Sequence, residues 1–131
     1  MKERYRIEMT RLVVPIEETD GNVKFNRISR GFSLAKGLMV IDLSDFGVVM
    51  DTFSLEVGQV QGETMLDILV GLEADIVLSE DIEPELSELL LNNNVKVALT
   101  KSKYVKDALR DLLAGKAFVM PGKEMPIKYA N

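Results

Sequence analysis

From residue 62 onward the chain alternates helical stripes with short apolar runs, and this alternation limits the fold more than any other feature. Met65, Leu66, Ile68, Leu69 and Leu72 share one helical face, followed by Asp75-Ile76-Val77-Leu78. Leu86, Leu89 and Leu90 form a second stripe that starts between Ile82 and Pro84, and Asn92-Asn93-Asn94 supplies a residue type that tolerates a left-handed helix end. Val95-Lys96-Val97-Ala98-Leu99 is the next strand. Ser102 is the expected cap of a third helix carrying Val105, Ala108, Leu109, Leu112 and Leu113, which Gly115 stops. Strands separated by single helices require right-handed crossovers into a parallel sheet.

The N-terminal half reads differently. Leu12-Val13-Val14-Pro15-Ile16 is a β-branched run preceded by the alternating Tyr5, Ile7 and Met9, with Pro15 expected to end its ladder. Residues 38–43 and 47–53 form a hairpin around Ser44-Asp45-Phe46. The expected order is therefore β β β α β α β α in one α/β domain, with the hairpin adding antiparallel pairing to a parallel sheet. Residues 1–10 read as an N-terminal extension open to joining the first strand, 11–117 as the domain, and 118–131 as an extended tail.

The residue inventory narrows the chemistry. The chain has 131 residues with no Cys, His or Trp, which removes disulfides, thiolate sites and every imidazole base. Its net charge of -5 argues against a nucleic-acid binder. No stretch is apolar enough for a signal peptide or membrane span, so a cytoplasmic protein without membrane contact is expected. Between Gly37 and Val95 there is no Lys or Arg, whereas five Arg precede residue 31 and Lys96, Lys101, Lys103 and Lys106 follow. Pairing of the basic ends with the acidic middle is the expected outcome.

Three groups of residues have chemical potential. Glu80, Asp81, Glu83, Glu85 and Glu88 lie where open α/β sheets place ligands, yet acids at a helix start are also what the helix dipole favours, with Asp81 or Glu83 as cap. Asp42 and Asp81 are the candidates for a two-metal nuclease, which the acid-free first strand argues against. Arg27, Arg30, Lys36, Lys101 and Lys103 are readable as an anion pocket or as partners for the acids, and pairing is the favoured reading. There is no phosphate-loop, dinucleotide or nucleophile-elbow motif.

The segments Leu12-Val13-Val14-Pro15, Ile28-Ser29-Arg30-Gly31-Phe32-Ser33-Leu34-Ala35, Ala74-Asp75-Ile76-Val77-Leu78, Val95-Lys96-Val97 and the third helix follow one another in a pattern that resembles the dinitrogenase iron-molybdenum-cofactor biosynthesis proteins. The resemblance implies a ribonuclease-H-like fold with a five-stranded mixed sheet, and a non-catalytic carrier or assembly role for an iron-sulfur or iron-molybdenum cofactor. It also implies a cofactor site at Ser29, Arg30, Gly31, Phe32 and Ser33, at Gln61 and Gly62, and at Asp81, Ile82 and Glu83. The chain departs from the family there. Gly31 stands where members carry His, Gln61-Gly62 replaces a His-Gly pair, and Asp81-Ile82-Glu83 replaces a Gly-Ile-Gly turn, adding carboxylates that repel an anionic cluster. Two functions follow as expectations: a carrier of a cofactor or its precursor, or an interaction module that binds another protein or a second copy, with residues 117–120 adding to a sheet edge. Gly31 is expected either to leave room in a pocket or to hold a positive φ.

Overall fold

The computed structural model describes residues 9–18, 26–58, 60 and 62–120. The chain runs β1 (Met9–Ile16), a short 3₁₀ turn (Phe32–Leu34), β2 (Gly37–Ser44), β3 (Val49–Glu56), α1 (Gly62–Gly71), β4 (Ile76–Ser79), α2 (Pro84–Asn92), β5 (Lys96–Leu99), α3 (Val105–Leu113) and β6 (Phe118–Met120). One mixed sheet orders the strands β3-β2-β1-β4-β5-β6. β1, β4 and β5 are mutually parallel, with α2 as the crossover between β4 and β5, while β2 and β3 run antiparallel to their neighbours and β6, although one helix separates it from β5, also pairs with it antiparallel.

The sheet has six strands, not the five given both by the expected element order and by the resemblance. The extra strand is β6, which pairs Phe118 with Leu99 and Met120 with Val97, so the segment expected to be free for a partner's edge already covers the β5 edge of its own sheet. A three-residue strand is too short to show a period. Pro15 does not end the first ladder, which continues to Ile16 opposite Gly37. Ser102 is not the cap of α3. Tyr104 precedes the helix without a side-chain cap, and the Ser102 hydroxyl donates instead to Asp111 Oδ2 at 2.7 Å. Asn94 (φ 64°) and Gly115 (φ 76°) do adopt the left-handed conformation expected after α2 and α3.

Alternation along the central strands sends successive side chains to opposite faces. Val13, Leu38, Val40, Val77 and Val97 pack with Met65 and Leu69 of α1 and Leu86 and Leu90 of α2. Leu12, Val14, Ile16, Met39, Ile41 and Leu78 pack on the other face with Val105 and Ala108 of α3. The connection after β1 binds both layers. Ile28 is buried in the α3 cluster and Phe32, four residues on, in the α1/α2 cluster. It therefore crosses the end of the sheet, anchored by Ser29 N–H on the Pro15 carbonyl (2.9 Å) and Ile28 N–H on the Lys103 carbonyl (2.8 Å).

Among the described residues the expected pairing of basic ends with acidic middle is present at two places. Arg11 sits opposite Asp42 in the β1/β2 ladder and clasps it with Nε to Oδ1 at 2.9 Å and Nη2 to Oδ2 at 3.0 Å. Its Nη1 also donates to the Leu72 carbonyl, and the guanidinium carbon lies 5.7 Å from the Phe53 ring centre. Lys103 Nζ reaches Glu80 Oε2 at 2.7 Å.

Candidate functional site

The site lies beyond the C-terminal ends of β1 and β4, the position at which open α/β sheets leave a crevice. The 3₁₀ turn after β1 delivers one wall. Phe32 is fully buried, fixing the backbone on either side of it, and Ser29 Oγ donates to the Gly31 carbonyl at 2.8 Å. The turn after β4 delivers the other wall, where Ser79 Oγ donates to the Asp81 carbonyl at 2.6 Å, Asp81 Oδ1 accepts from Ile82 N–H, and Ile82 is buried beneath. Pro84 then starts α2, suiting a first helical turn because it has no N–H to leave unsatisfied.

Glu83 joins the two walls. It occupies the cap position of α2 but makes no side-chain cap. Its Oε2 accepts the Ser33 N–H at 3.0 Å, a contact between residues 50 positions apart. Oε1 is buried with no hydrogen-bond partner among the described residues. Burial pushes the Glu83 carboxyl up, but the Ser33 hydrogen bond and the neighbouring backbone N–H groups of Ser33, Glu83 and Phe32 more than offset it and hold the group below its ordinary value. Glu83 is therefore an anion at neutral pH.

Gly31 explains how the carboxylate fits. Its φ is -155°, ordinary extended backbone, so the expected alternative of a positive φ does not hold. The room left by the missing side chain is not empty either, because a β-carbon at Gly31 would lie 3.0 Å from Glu83 Oε2. Gly31→Ala is expected to destabilise the protein by about 1 kcal/mol through crowding. The penalty should vanish in a Glu83→Ala background, which a denaturation double-mutant cycle reads directly.

Two cavities flank this carboxylate. One, of about 210 Å³, is lined by Phe32, Ser33, Val60, Gly62, Met65, Glu83, Glu85 and Leu86. The other, of about 300 Å³, is shallower and bounded by Arg30, Gly31, Leu34, Asp81, Ile82 and Pro84, again with Glu83. Of the residues expected at the site, Arg30, Gly31, Phe32, Ser33, Gly62, Asp81, Ile82 and Glu83 line one cavity or the other. Ser29 stands behind them as a buried brace, and Gln61 lies outside the described residues. Glu85 comes from the acidic group expected at the ligand end of the sheet, whereas Val60, Met65 and Leu86 were not expected as lining. Met65 and Leu86 carry the same periodic signal as core residues, and only the cavity distinguishes them.

The other candidate groups do other work. Asp42 is engaged by Arg11 at the opposite end of the parallel strands from Asp81, so the two do not form a metal pair. Among the described residues no three acidic side chains converge as metal ligands. Glu80 is held below its ordinary value, first by the Lys103 hydrogen bond, then, against a smaller effect of burial, by the charges of Lys103, Arg30 and Arg27. Lys103 and Glu80 thus satisfy each other. Among the described residues no helix is long and apolar enough to cross a membrane.

No family model matches the chain, and no curated protein matches it in sequence. Solved structures do match in fold. The apo form of the orange protein from Desulfovibrio gigas superposes with a TM-score of 0.72 at 19% identity, over 89% of this chain and 98% of that one. PH0822 gives 0.71 at 20% identity, over 85% and 96%. A protein of Methanocaldococcus jannaschii provisionally assigned as a dinitrogenase gives 0.66 at 13% identity, over 89% and 99%. At these identities the likeness establishes a shared fold, in line with the nitrogenase-cofactor-related resemblance read from the sequence.

The residues at the site do not fit the anionic iron-sulfur or iron-molybdenum cluster that the resemblance implies. The chain has neither Cys nor His, the side-chain donors here are the carboxylates of Asp81, Glu83 and Glu85 and the Ser33 hydroxyl, and Glu83 already holds the Ser33 N–H. Anaerobic reconstitution with iron and sulfide is accordingly expected to give no cluster absorbance above a protein-free control. A stable chromophore that gel-filters with folded protein would contradict this.

Proposed function

We propose that this chain is a non-catalytic small-ligand-binding domain on a ribonuclease-H-like scaffold of the cofactor-carrier type, with the residues that serve an iron cluster replaced and a different ligand accommodated. The observation that supports this reading is the meeting of the 29–33 and 81–83 segments at Glu83 beside a 210 Å³ cavity with apolar walls. Such a volume is below the usual range for drug-sized ligands and suits a small molecule. The absence of imidazole and thiol from the chain supports a binding rather than a catalytic role.

The test is native mass spectrometry of protein purified gently from cells, beside a Leu86→Trp variant that fills the cavity. The wild type is expected to retain a small molecule at one per chain, and the variant, if folded by circular dichroism, to lose it. Wild type and variant with identical masses of bound material, or none on either, would remove the reading.

A second reading, an interaction module that pairs with a second copy, has one observation in its favour. Phe46 is 92% exposed at the β2–β3 turn, with Val48 exposed after it and Val49 and Met50 exposed on β3, an edge strand of the sheet. Sedimentation of the wild type and a Met50→Lys variant separates the cases. A concentration-dependent dimer abolished by the lysine supports self-association, and a monomer in both excludes it.

A further inference from the structure

The ligand-binding reading leaves the chemistry of the ligand open, and the walls of the 210 Å³ cavity constrain it. Phe32, Val60, Met65 and Leu86 supply apolar surface, and among the described lining residues the charged groups are two carboxylates, Glu83 and Glu85, with no Lys or Arg. Of the cations grouped with the connection after β1, Lys103 is engaged by Glu80 and Arg30 lines the other cavity beside Gly31. An anion entering this space meets two like charges at low local dielectric, without a compensating cation.

Resting on the ligand-binding reading, we infer that Glu83 is the specificity-determining residue of the cavity and that it selects a compact organic cation, an ammonium or amidinium head on a small apolar body. Glu83 acts in two ways. It takes the Ser33 N–H, one of the backbone donors that an anion would otherwise use. It also lines the cavity as a carboxylate whose buried Oε1 has no hydrogen-bond partner among the described residues, so its charge is open to compensation by a cationic donor. The apolar body of the ligand lies against Phe32, Met65 and Leu86, and Glu85, more exposed at the start of α2, adds attraction at the mouth without fixing geometry. Gly31 is part of the same arrangement, because a β-carbon there would lie 3.0 Å from Glu83 Oε2 and crowd the carboxylate.

The test uses three isosteric probes, benzylammonium, benzyl alcohol and benzoate, titrated into the ¹⁵N-labelled full chain while the Ser33, Met65 and Leu86 amides are followed. Benzylammonium is expected to shift these amides saturably and benzoate to leave them unmoved. Glu83→Gln keeps an acceptor for the Ser33 N–H but removes the charge, and should weaken benzylammonium binding about ten- to hundredfold while leaving the weak binding of benzyl alcohol unchanged. Binding of benzoate as tight as benzylammonium, or unchanged benzylammonium affinity in folded Glu83→Gln, overturns the inference while the ligand-binding reading stands. Failure of all three probes to shift the site amides of folded wild type counts against both.

Discussion

Phe32→Ala is expected to lower the stability of the folded chain by about 3–5 kcal/mol, a large part of the margin available to a domain of this size. Phe32 is fully buried and leads the largest side chains with essentially no exposure, yet it comes from a 3₁₀ turn of three residues rather than from a strand or long helix. Its ring fills the space where the α1/α2 layer meets the end of the sheet, alongside Met65, Ile82 and Leu86. Truncation removes the transfer energy of the ring and leaves a cavity that the short turn is poorly placed to fill. Because the turn also carries Gly31 and Ser33, the same substitution should loosen the Glu83 contact. Urea denaturation measures the first effect. A midpoint within experimental error of the wild type would show that the turn is not held by its aromatic anchor.

The Arg11–Asp42 clasp is the second place where a single change should have a large effect. Asp42→Ala is expected to remove about 2–4 kcal/mol, between the values for exposed and fully buried pairs, since the arginine side chain is 30% exposed and the aspartate 9%. Among the described residues the alanine would leave the guanidinium with the Leu72 carbonyl, the Phe53 ring and the more distant charges of Glu73 and Asp51. The pair also makes stability depend on pH. The Arg11 hydrogen bond, against the opposing effect of burial and with the help of the arginine's charge, holds the Asp42 carboxyl below its ordinary value. The unfolded chain therefore takes up this proton at a higher pH than the folded one. The stabilisation is complete above the ordinary aspartate value and is lost as pH falls through the lower, folded value. Glu80 and Glu83 shift in the same direction and add to the slope. The wild-type urea midpoint should fall steadily from about pH 5 towards about pH 2, and Asp42→Asn should show a shallower decline from a lower starting point. Parallel curves would mean that Asp42 titrates alike in both states.

Much of the fold is legible in the residues because it rests on local signals. The helical stripes of α1, α2 and α3 and the apolar runs of β1, β2, β4 and β5 carry their own period, and Asn94 and Gly115 mark helix ends through backbone geometry that few residues tolerate. Elements that depend on distant partners are not legible. β6 is defined by what Phe118, Val119 and Met120 pair with rather than by their own pattern. Ser102 has the composition of a cap, but an acid nine residues on, in α3, takes its hydroxyl.

The candidate site divides along the same line. Segment 29–33 is marked in the sequence by the family resemblance, within a long connection that shows no period, and segment 81–83 by its place after a strand of the parallel sheet. That Glu83 closes one half onto the other could not be read from spacing, because the partner is a backbone N–H 50 residues away. In the sequence Gly31 and Glu83 are two unrelated departures from a family pattern. In the structure they are one, the missing side chain making room for the added carboxylate.

Hydrogen–deuterium exchange at the Ser33 amide tests most directly whether the two halves form a single built site. Ser33 lies in a short turn, and the acceptor for its N–H is the Glu83 carboxylate. The amide is expected to exchange slowly in the wild type and in Glu83→Gln, and at the rate of an open loop in Glu83→Ala, with the α1 and β2 amides unchanged across all three proteins. Exchange of Ser33 at an open-loop rate in the folded wild type, or equal protection in Glu83→Ala, would contradict the joining of the two walls by Glu83.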